Sequence, residues 1–371
     1  MGCDLISLAT KGVQGLHPYQ PGKPVDELER ELGIKNIIKL ASNENPLGPS
    51  NKALKAIESS FQELCRYPDG SGFKLKDVLA ERYGVSVDQI TLGNGSNDLL
   101  EIIARTFADS SSEIVYSQYA FAVYPLVTQA IGAKAVEVPA VDWGHDLVEM
   151  AKAINDKTKL VFIANPNNPT GTYVNQHQLI QFLDDVPESV IVVLDEAYCE
   201  YIDSRNGGVD FPDGVELLTK YPNLIVTRTF SKAWGLASLR VGYAMSHPDV
   251  ANLLNRVRQP FNVDTFALEA AVAVLSDEDY LNESRKVNKE GMTQLTAGFD
   301  RLSLSYIPSV GNFVTFDTGQ NAMPVYQSLL QEGVIVRPVA NYGMPRHLRV
   351  SIGLQEENER FLNALEKILG H

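Results

Sequence analysis

The sequence predicts an α/β protein: a large domain on a mainly parallel seven-stranded sheet sandwiched by helices, followed by a smaller α+β domain. Three observations predict it. Seven short apolar runs recur between residues 90 and 244, several of them continuous, as strands covered on both faces require. The segments between them carry helical spacing, most clearly 98–107 with Leu99, Leu100, Ile102, Ile103 and Phe107. After about residue 264 this alternation gives way to longer helical stretches and short strand-like pieces.

Residues 1–40 read as an arm that packs with the small domain. The stretch 15–22 is turn-rich, and a short helix follows at 24–32. A polar, proline-punctuated loop runs over 40–50, then a helix at about 51–64 and the turn Arg66-Tyr67-Pro68-Asp69-Gly70. The strand candidates of the large domain, 41–264, lie at 90–93, 114–116, 136–138, 160–164, 190–194, 224–226 and 241–244. The small domain, 265–371, is expected to hold helices at about 265–275, 278–302, 322–332 and 356–369. Its strands are expected at 312–316, 334–337 and 348–352.

Composition narrows the functions open to this chain. Its 371 residues are 44% hydrophobic and 21% charged, ordinary for a soluble globular protein. Lys plus Arg total 32 against 46 Asp plus Glu, a net charge of -14, which argues against a nucleic-acid or anionic-membrane surface. An anionic ligand therefore needs a local cluster of arginines and backbone amides. Cys3, Cys65 and Cys199 make no metal-spaced pair and are expected to be reduced thiols. Met1-Gly2-Cys3 lacks the Ser or Thr at position 6 that N-myristoylation favours, because Ile6 stands there. No segment reaches the roughly 18 apolar residues of a membrane span, so a cytoplasmic location is expected.

The chemistry centres on 227–242, which follows the apolar run 224–226. A strand end holds one lysine, Lys232, rigidly beside hydroxyls, and Arg240 suits a phosphate. Such a lysine can form a Schiff base with an aldehyde cofactor. Gly93-Asn94-Gly95-Ser96-Asn97-Asp98 joins a strand to a helix whose first amides can hold a phosphate, although it lacks the third glycine of a dinucleotide fingerprint. Asn165-Pro166-Asn167-Asn168-Pro169 makes a stiff loop at another strand end, with Asn168 free to donate to a ring oxygen. Asp195 ends the run 190–194, where a buried carboxylate needs a cationic partner such as a pyridinium nitrogen. Tyr198, three residues on, is within reach of the same ring.

In this order the motifs resemble the fold-type I, pyridoxal phosphate (PLP)-dependent aminotransferases of the aspartate aminotransferase superfamily, over nearly the whole chain. Within that superfamily the sequence resembles the branch that acts on histidinol phosphate, through Pro18-Tyr19-Gln20, the loop from Leu40 to Pro46, and Arg337. The resemblance implies that Lys232 is the Schiff-base lysine and the base that moves the substrate proton. It implies that Asp195 meets the pyridine nitrogen, and that Asn168 and Tyr198 meet the ring oxygen. Ser96, Asn97, Thr229, Ser231 and Arg240 would hold the cofactor phosphate. Tyr67 would reach the phosphate of a neighbouring subunit's cofactor, making an obligate homodimer. Arg349 would bind a substrate carboxylate, while Tyr19, Asn43 and Arg337 would surround the substrate side chain, Tyr19 and Arg337 toward its phosphate. The family's ring-stacking aromatic is commonly a tyrosine in a Pro-Thr-Tyr segment, which stands here as Ser117-Gln118-Tyr119-Ala120-Phe121: spacing favours Phe121, with Tyr119 as the alternative.

The implied reaction is transfer of an amino group between L-histidinol phosphate and 2-oxoglutarate, with glutamate as the second product, by ping-pong kinetics. Two alternatives keep the same core residues: an aminotransferase of broad aromatic specificity, and a lyase resembling threonine-phosphate decarboxylase. A non-catalytic PLP-binding regulator would need a basic DNA-binding region, which does not precede residue 40.

Overall fold

The computed structural model describes residues 4–18, 22–202 and 210–370. After the arm's short strand β1 (Ile38–Lys39), seven strands form the central sheet. They are β2 (Ile90–Gly93), β3 (Glu113–Ser117), β4 (Lys134–Val138), β5 (Thr158–Ala164), β6 (Ile191–Asp195), β7 (Leu224–Thr229) and β8 (Gly242–Ser246). Their order is β2-β8-β7-β6-β5-β3-β4. Only β8 runs against its neighbours, pairing antiparallel with both β2 and β7. All seven fall where the apolar runs predict them.

Each run is apolar throughout because both faces of the sheet are covered. Along β5, Val161 and Ile163 join one core cluster, while Leu160, Phe162 and Ala164 join the other. In β6, Val192 and Leu194 face the first and Val193 the second. This two-residue alternation makes each strand serve two cores. The parallel strands also bring their carboxyl ends to one edge, with Ala164 opposite Asp195 and Asp195 opposite Thr227. Crevices at such an edge are where open α/β sheets take ligands.

The smaller domain holds a four-stranded antiparallel sheet, ordered β12 (Arg337–Pro338), β13 (His347–Ser351), β10 (Phe313–Asp317) and β9 (Tyr306–Ile307). Helices Glu278–Arg301, Ala322–Gln331 and Gln355–Leu369 close over it around Phe299, Phe316 and Phe361. The single strand expected at 334–337 is two. β11 (Val334–Ile335) pairs parallel with β1, whereas β12 pairs with β13.

Core membership differs from a domain boundary at 264/265. Helix Thr265–Leu275 is apolar nearly all round, and its Ala267, Leu268, Ala271 and Val274 join the large core. The change of texture at 264 is a change from strands to helices, not a change of core. The two cores meet along helix Glu278–Arg301, with Leu281 in the larger and Leu295 and Phe299 in the smaller.

The arm divides as well. Leu28 of helix Val25–Leu32 packs with Ala41, Leu330 and Ile335. Residues Lys11–Gln14 rest instead on the large domain: a Cβ on Gly12 would lie 2.1 Å from the Gln129 carbonyl oxygen, so only glycine allows that approach. Among the described residues, no helix is long and apolar enough to cross a membrane.

Candidate active site

Lys232 follows the end of β7 in a tight turn closed by the Gly235 amide donating to the Lys232 carbonyl at 2.9 Å. Phe230, Ala233 and Trp234 are fully buried around it and anchor the turn. The lysine is partly open to a cavity, while its amine donates to the carbonyls of Ser42 (3.0 Å) and Asn43 (3.2 Å) and lies over the Tyr198 ring. Enclosure by protein, then the positive charges of Arg349 and Arg240, bring its pKa down to about 7; Glu44 opposes them. A lysine so placed is a ready nucleophile at neutral pH.

Asp195 ends β6 and is buried. Its Oδ2 accepts from the Tyr124 hydroxyl at 3.0 Å and its Oδ1 from the Thr227 hydroxyl at 3.1 Å. Burial pushes its pKa up to about 6, against the pull of these donors and of the Ala197 amide. Beside it, the Tyr198 hydroxyl accepts from the side-chain amides of Asn43 (3.0 Å) and Asn168 (3.1 Å), and burial pushes its pKa up to about 12. The Asn168 oxygen in turn accepts from Arg349. A second arm of that guanidinium donates to the Ala41 carbonyl at 2.8 Å, and the group lies over the Phe313 ring. Asn43 is buried with φ 54° and is locked by its amide donating to Ser351 Oγ at 2.8 Å.

The other end of the cavity suits an anion. Helix Ser96–Phe107 starts after Gly95 with no side-chain cap, so its first amides point outward unclaimed by a cap. Arg240 donates to Ser231 Oγ at 3.0 Å and the Ala237 carbonyl at 2.9 Å. The Ser231 amide donates to Thr229 Oγ1 at 3.1 Å. Gly95 has φ +81°, and a Cβ there would lie 2.4 Å from Arg240 Nη2, so the guanidinium sits directly against the turn. Helix dipole, free amides and arginine converge on one point, the chemistry of a phosphate seat.

Lys232, Asp195, Tyr198, Asn43, Asn168, Arg349, Ser96, Thr229, Ser231 and Arg240 all line one cavity. The set fits PLP: an enclosed amine for its aldehyde, a buried carboxylate for its ring nitrogen, and an anion seat at the far end. Every site residue singled out from the sequence lines it except Tyr19, Tyr67 and the alternative stacking residue Tyr119. Tyr19 lies outside the described residues. Tyr67 is 82% exposed and stacks on Phe261 at 4.8 Å, away from its own chain's cavity. Phe121 lines the cavity, whereas Tyr119 packs on Trp143 at 5.2 Å. Arg337 borders this cavity and a neighbouring one that His17 and Lys23 also line.

Sequence reasoning missed both side-chain donors to Asp195. Thr227 shares a strand face with Thr229, two residues on, which was a usable signal. Tyr124 sits in the mostly apolar helix Val123–Ala130 and reads as core, yet a phenol in such a place needs a partner for its hydroxyl.

Comparison with known proteins agrees with this geometry. The family model for aminotransferase class I and II matches residues 35–365. Histidinol-phosphate aminotransferase 2 of Pseudomonas fluorescens is 62% identical over 371 residues, covering 100% of this chain and 99% of that protein. The protein of the same name from Pseudomonas aeruginosa is 60% identical over 370 residues, with 99% of each chain covered. Among solved structures, histidinol-phosphate aminotransferase from Sinorhizobium meliloti in complex with pyridoxal-5'-phosphate superposes with a TM-score of 0.88 at 30% identity, covering 97% of each chain. The chain belongs to the class I and II aminotransferases and, within them, to the histidinol-phosphate aminotransferases.

Proposed function

We propose that this PLP-dependent aminotransferase moves the amino group of L-histidinol phosphate to 2-oxoglutarate, forming glutamate, as a step of histidine biosynthesis. The observation that carries the reading is the presence of Arg349 and Arg337 on the same cavity as Lys232. One amino partner bears a phosphate and no carboxylate; the other bears two carboxylates. Two arginines beyond the cofactor's own phosphate seat are what such a pair demands. The full-length kinship supports the choice of branch.

Bound at Lys232, the cofactor supplies a ring that withdraws electrons from the substrate α-carbon. The residues of the chain do the rest. Once the substrate amine has displaced it from the cofactor, the free Lys232 Nζ, with its pKa held down to about 7, would take the proton from the substrate Cα and return it to the cofactor carbon that had carried the lysine. Asp195, ionised, accepts the hydrogen bond of the ring nitrogen. Asn168 and Tyr198 would hold the ring oxygen, Phe121 would stack on the ring, and Ser96, Asn97, Thr229, Ser231 and Arg240 would hold the phosphate. Arg349 binds a carboxylate of glutamate or 2-oxoglutarate, and Asn43 closes the substrate side. Arg337, with Tyr19, serves the substrate phosphate. The two half-reactions use one site in turn, so ping-pong kinetics follow.

The active species in this reading is a homodimer, each Tyr67 reaching the phosphate seat of its partner. Supporting it, Tyr67 is exposed on its own chain and stacks on the exposed Phe261, and Leu64 and Phe73, close in sequence, are exposed as well.

The test offers L-histidinol phosphate, phenylalanine, tyrosine and threonine phosphate separately with 2-oxoglutarate to the purified holoenzyme. Strong preference for histidinol phosphate with glutamate formed is expected. Equal or better turnover of the aromatic amino acids overturns the assigned substrate, and release of carbon dioxide without glutamate overturns transamination.

A further inference from the structure

Tyr124 has no part in the reading above, yet it sits directly behind Asp195, which lines the cavity. It is fully buried. Its ring stacks on Phe162 of β5 at 4.6 Å and 8°, and meets Phe121 edge-on at 5.9 Å and 87°. Its hydroxyl therefore has one direction to point, and there it donates to Asp195 Oδ2. Thr227 holds the other carboxylate oxygen from β7. Both side-chain donors are neutral, and Asp195 itself lines the cavity.

We propose that Tyr124 is a positioning residue for the cofactor: its hydroxyl holds Asp195 as an oriented carboxylate beneath the ring nitrogen, and its ring ties that carboxylate to Phe121. The electrostatic reason is simple. A carboxylate buried among apolar strands is driven toward its neutral form, and each hydrogen bond to the anion opposes that drive. A neutral carboxyl no longer stabilises the ring nitrogen's proton, so the cofactor loses both an anchor and its electron-withdrawing charge. The edge-on contact adds geometry. Phe121 and Asp195 both line the cavity, and Tyr124 touches both, so one residue sets the spacing between them.

The inference rests on Asp195 meeting the ring nitrogen, and a double-mutant cycle separates the two claims. Tyr124→Phe, Asp195→Asn and the double variant are prepared as holoenzymes. The dissociation constant and band position of the bound cofactor are read from its visible absorbance, with kcat and KM alongside. Tyr124→Phe is expected to loosen the cofactor by about 10-fold and to shift its band, as loss of one hydrogen bond to a charged group implies. It should lower kcat while KM for the amino donor moves less than about two-fold. In the Asp195→Asn background the same change should add less than about two-fold, because no carboxylate remains to be held. Equal loosening in both backgrounds would mean that Tyr124 only packs, and overturns the proposal. If Asp195→Asn itself leaves the cofactor unaffected, the ring-nitrogen assignment falls and the proposal with it. Should Tyr124→Phe fail to fold, Thr227→Val removes the second donor. It should shift the band in the same direction; an unshifted band again overturns the proposal.

Discussion

Cofactor-free protein offers a direct test of how the fold prepares Lys232. An ordinary lysine near 10.5 is neutral in only roughly one molecule in 3,000 at pH 7, whereas one at about 7 is neutral in roughly half. Recombination with the cofactor aldehyde needs the neutral amine. Its rate constant should therefore climb with pH to a midpoint near 7 and then level off, instead of climbing through pH 10. The cause is also testable. Enclosure comes first, and the Arg349 charge comes second. Arg349→Met removes a like charge, which should move the midpoint up by about one unit. At pH 7 that lowers the neutral fraction, and the rate, about five-fold. Stopped-flow absorbance of apoprotein mixed with excess pyridoxal phosphate across pH 5.5 to 10 supplies the profile. A rate still rising at pH 9 would refute the depressed amine. A midpoint unmoved by Arg349→Met would refute the charge argument and leave burial as the whole cause.

Three further outcomes are expected. Tyr198→Phe strands the side-chain amides of Asn43 and Asn168, both buried, so the apoprotein should lose roughly 2–4 kcal/mol, seen as a lower thermal midpoint. An unchanged midpoint would mean that those amides find other acceptors. Gly95→Ala forces a Cβ against Arg240 at a backbone conformation that disfavours side chains, and should weaken cofactor binding by about ten-fold or more, measured by absorbance titration. Mixing inactive Lys232→Ala protein with Tyr67→Ala protein under exchange conditions should restore activity at about a quarter of the sites, because a mixed dimer rebuilds one intact site. No recovery despite subunit exchange would remove Tyr67 from the partner's site.

Much of this was legible because buried parallel strands need unbroken apolar runs, and the groups that end them, Asp195 and Lys232, are conspicuous polar residues just after such runs. Strand direction was not legible. The run at β8 looks like its parallel neighbours, since side-chain alternation is the same whichever way a strand points. Core membership of helix Thr265–Leu275 was hidden for a related reason: a helix apolar on nearly all sides says that it is buried, not in which domain. The partners of Tyr198 illustrate a third limit. Asn43 and Asn168 are short polar residues in proline-punctuated loops, where local turn-making explains them as well as a shared hydroxyl does. Only the folded chain brings them to one oxygen.

The lock on Asn43 has a consequence for how the protein is made. Its amide is held by Ser351, 308 residues away in sequence, and Arg349 donates to the carbonyl of Ala41 across the same span. At about 5–20 residues per second, roughly 15–60 s separate the emergence of these two ends from the ribosome. For that interval the lysine-bearing sheet can form, but the carbonyls that receive Lys232 belong to a loop not yet held from its far side. Nascent chains stalled just short of Arg349 should therefore bind cofactor poorly, while the released chain should bind it well.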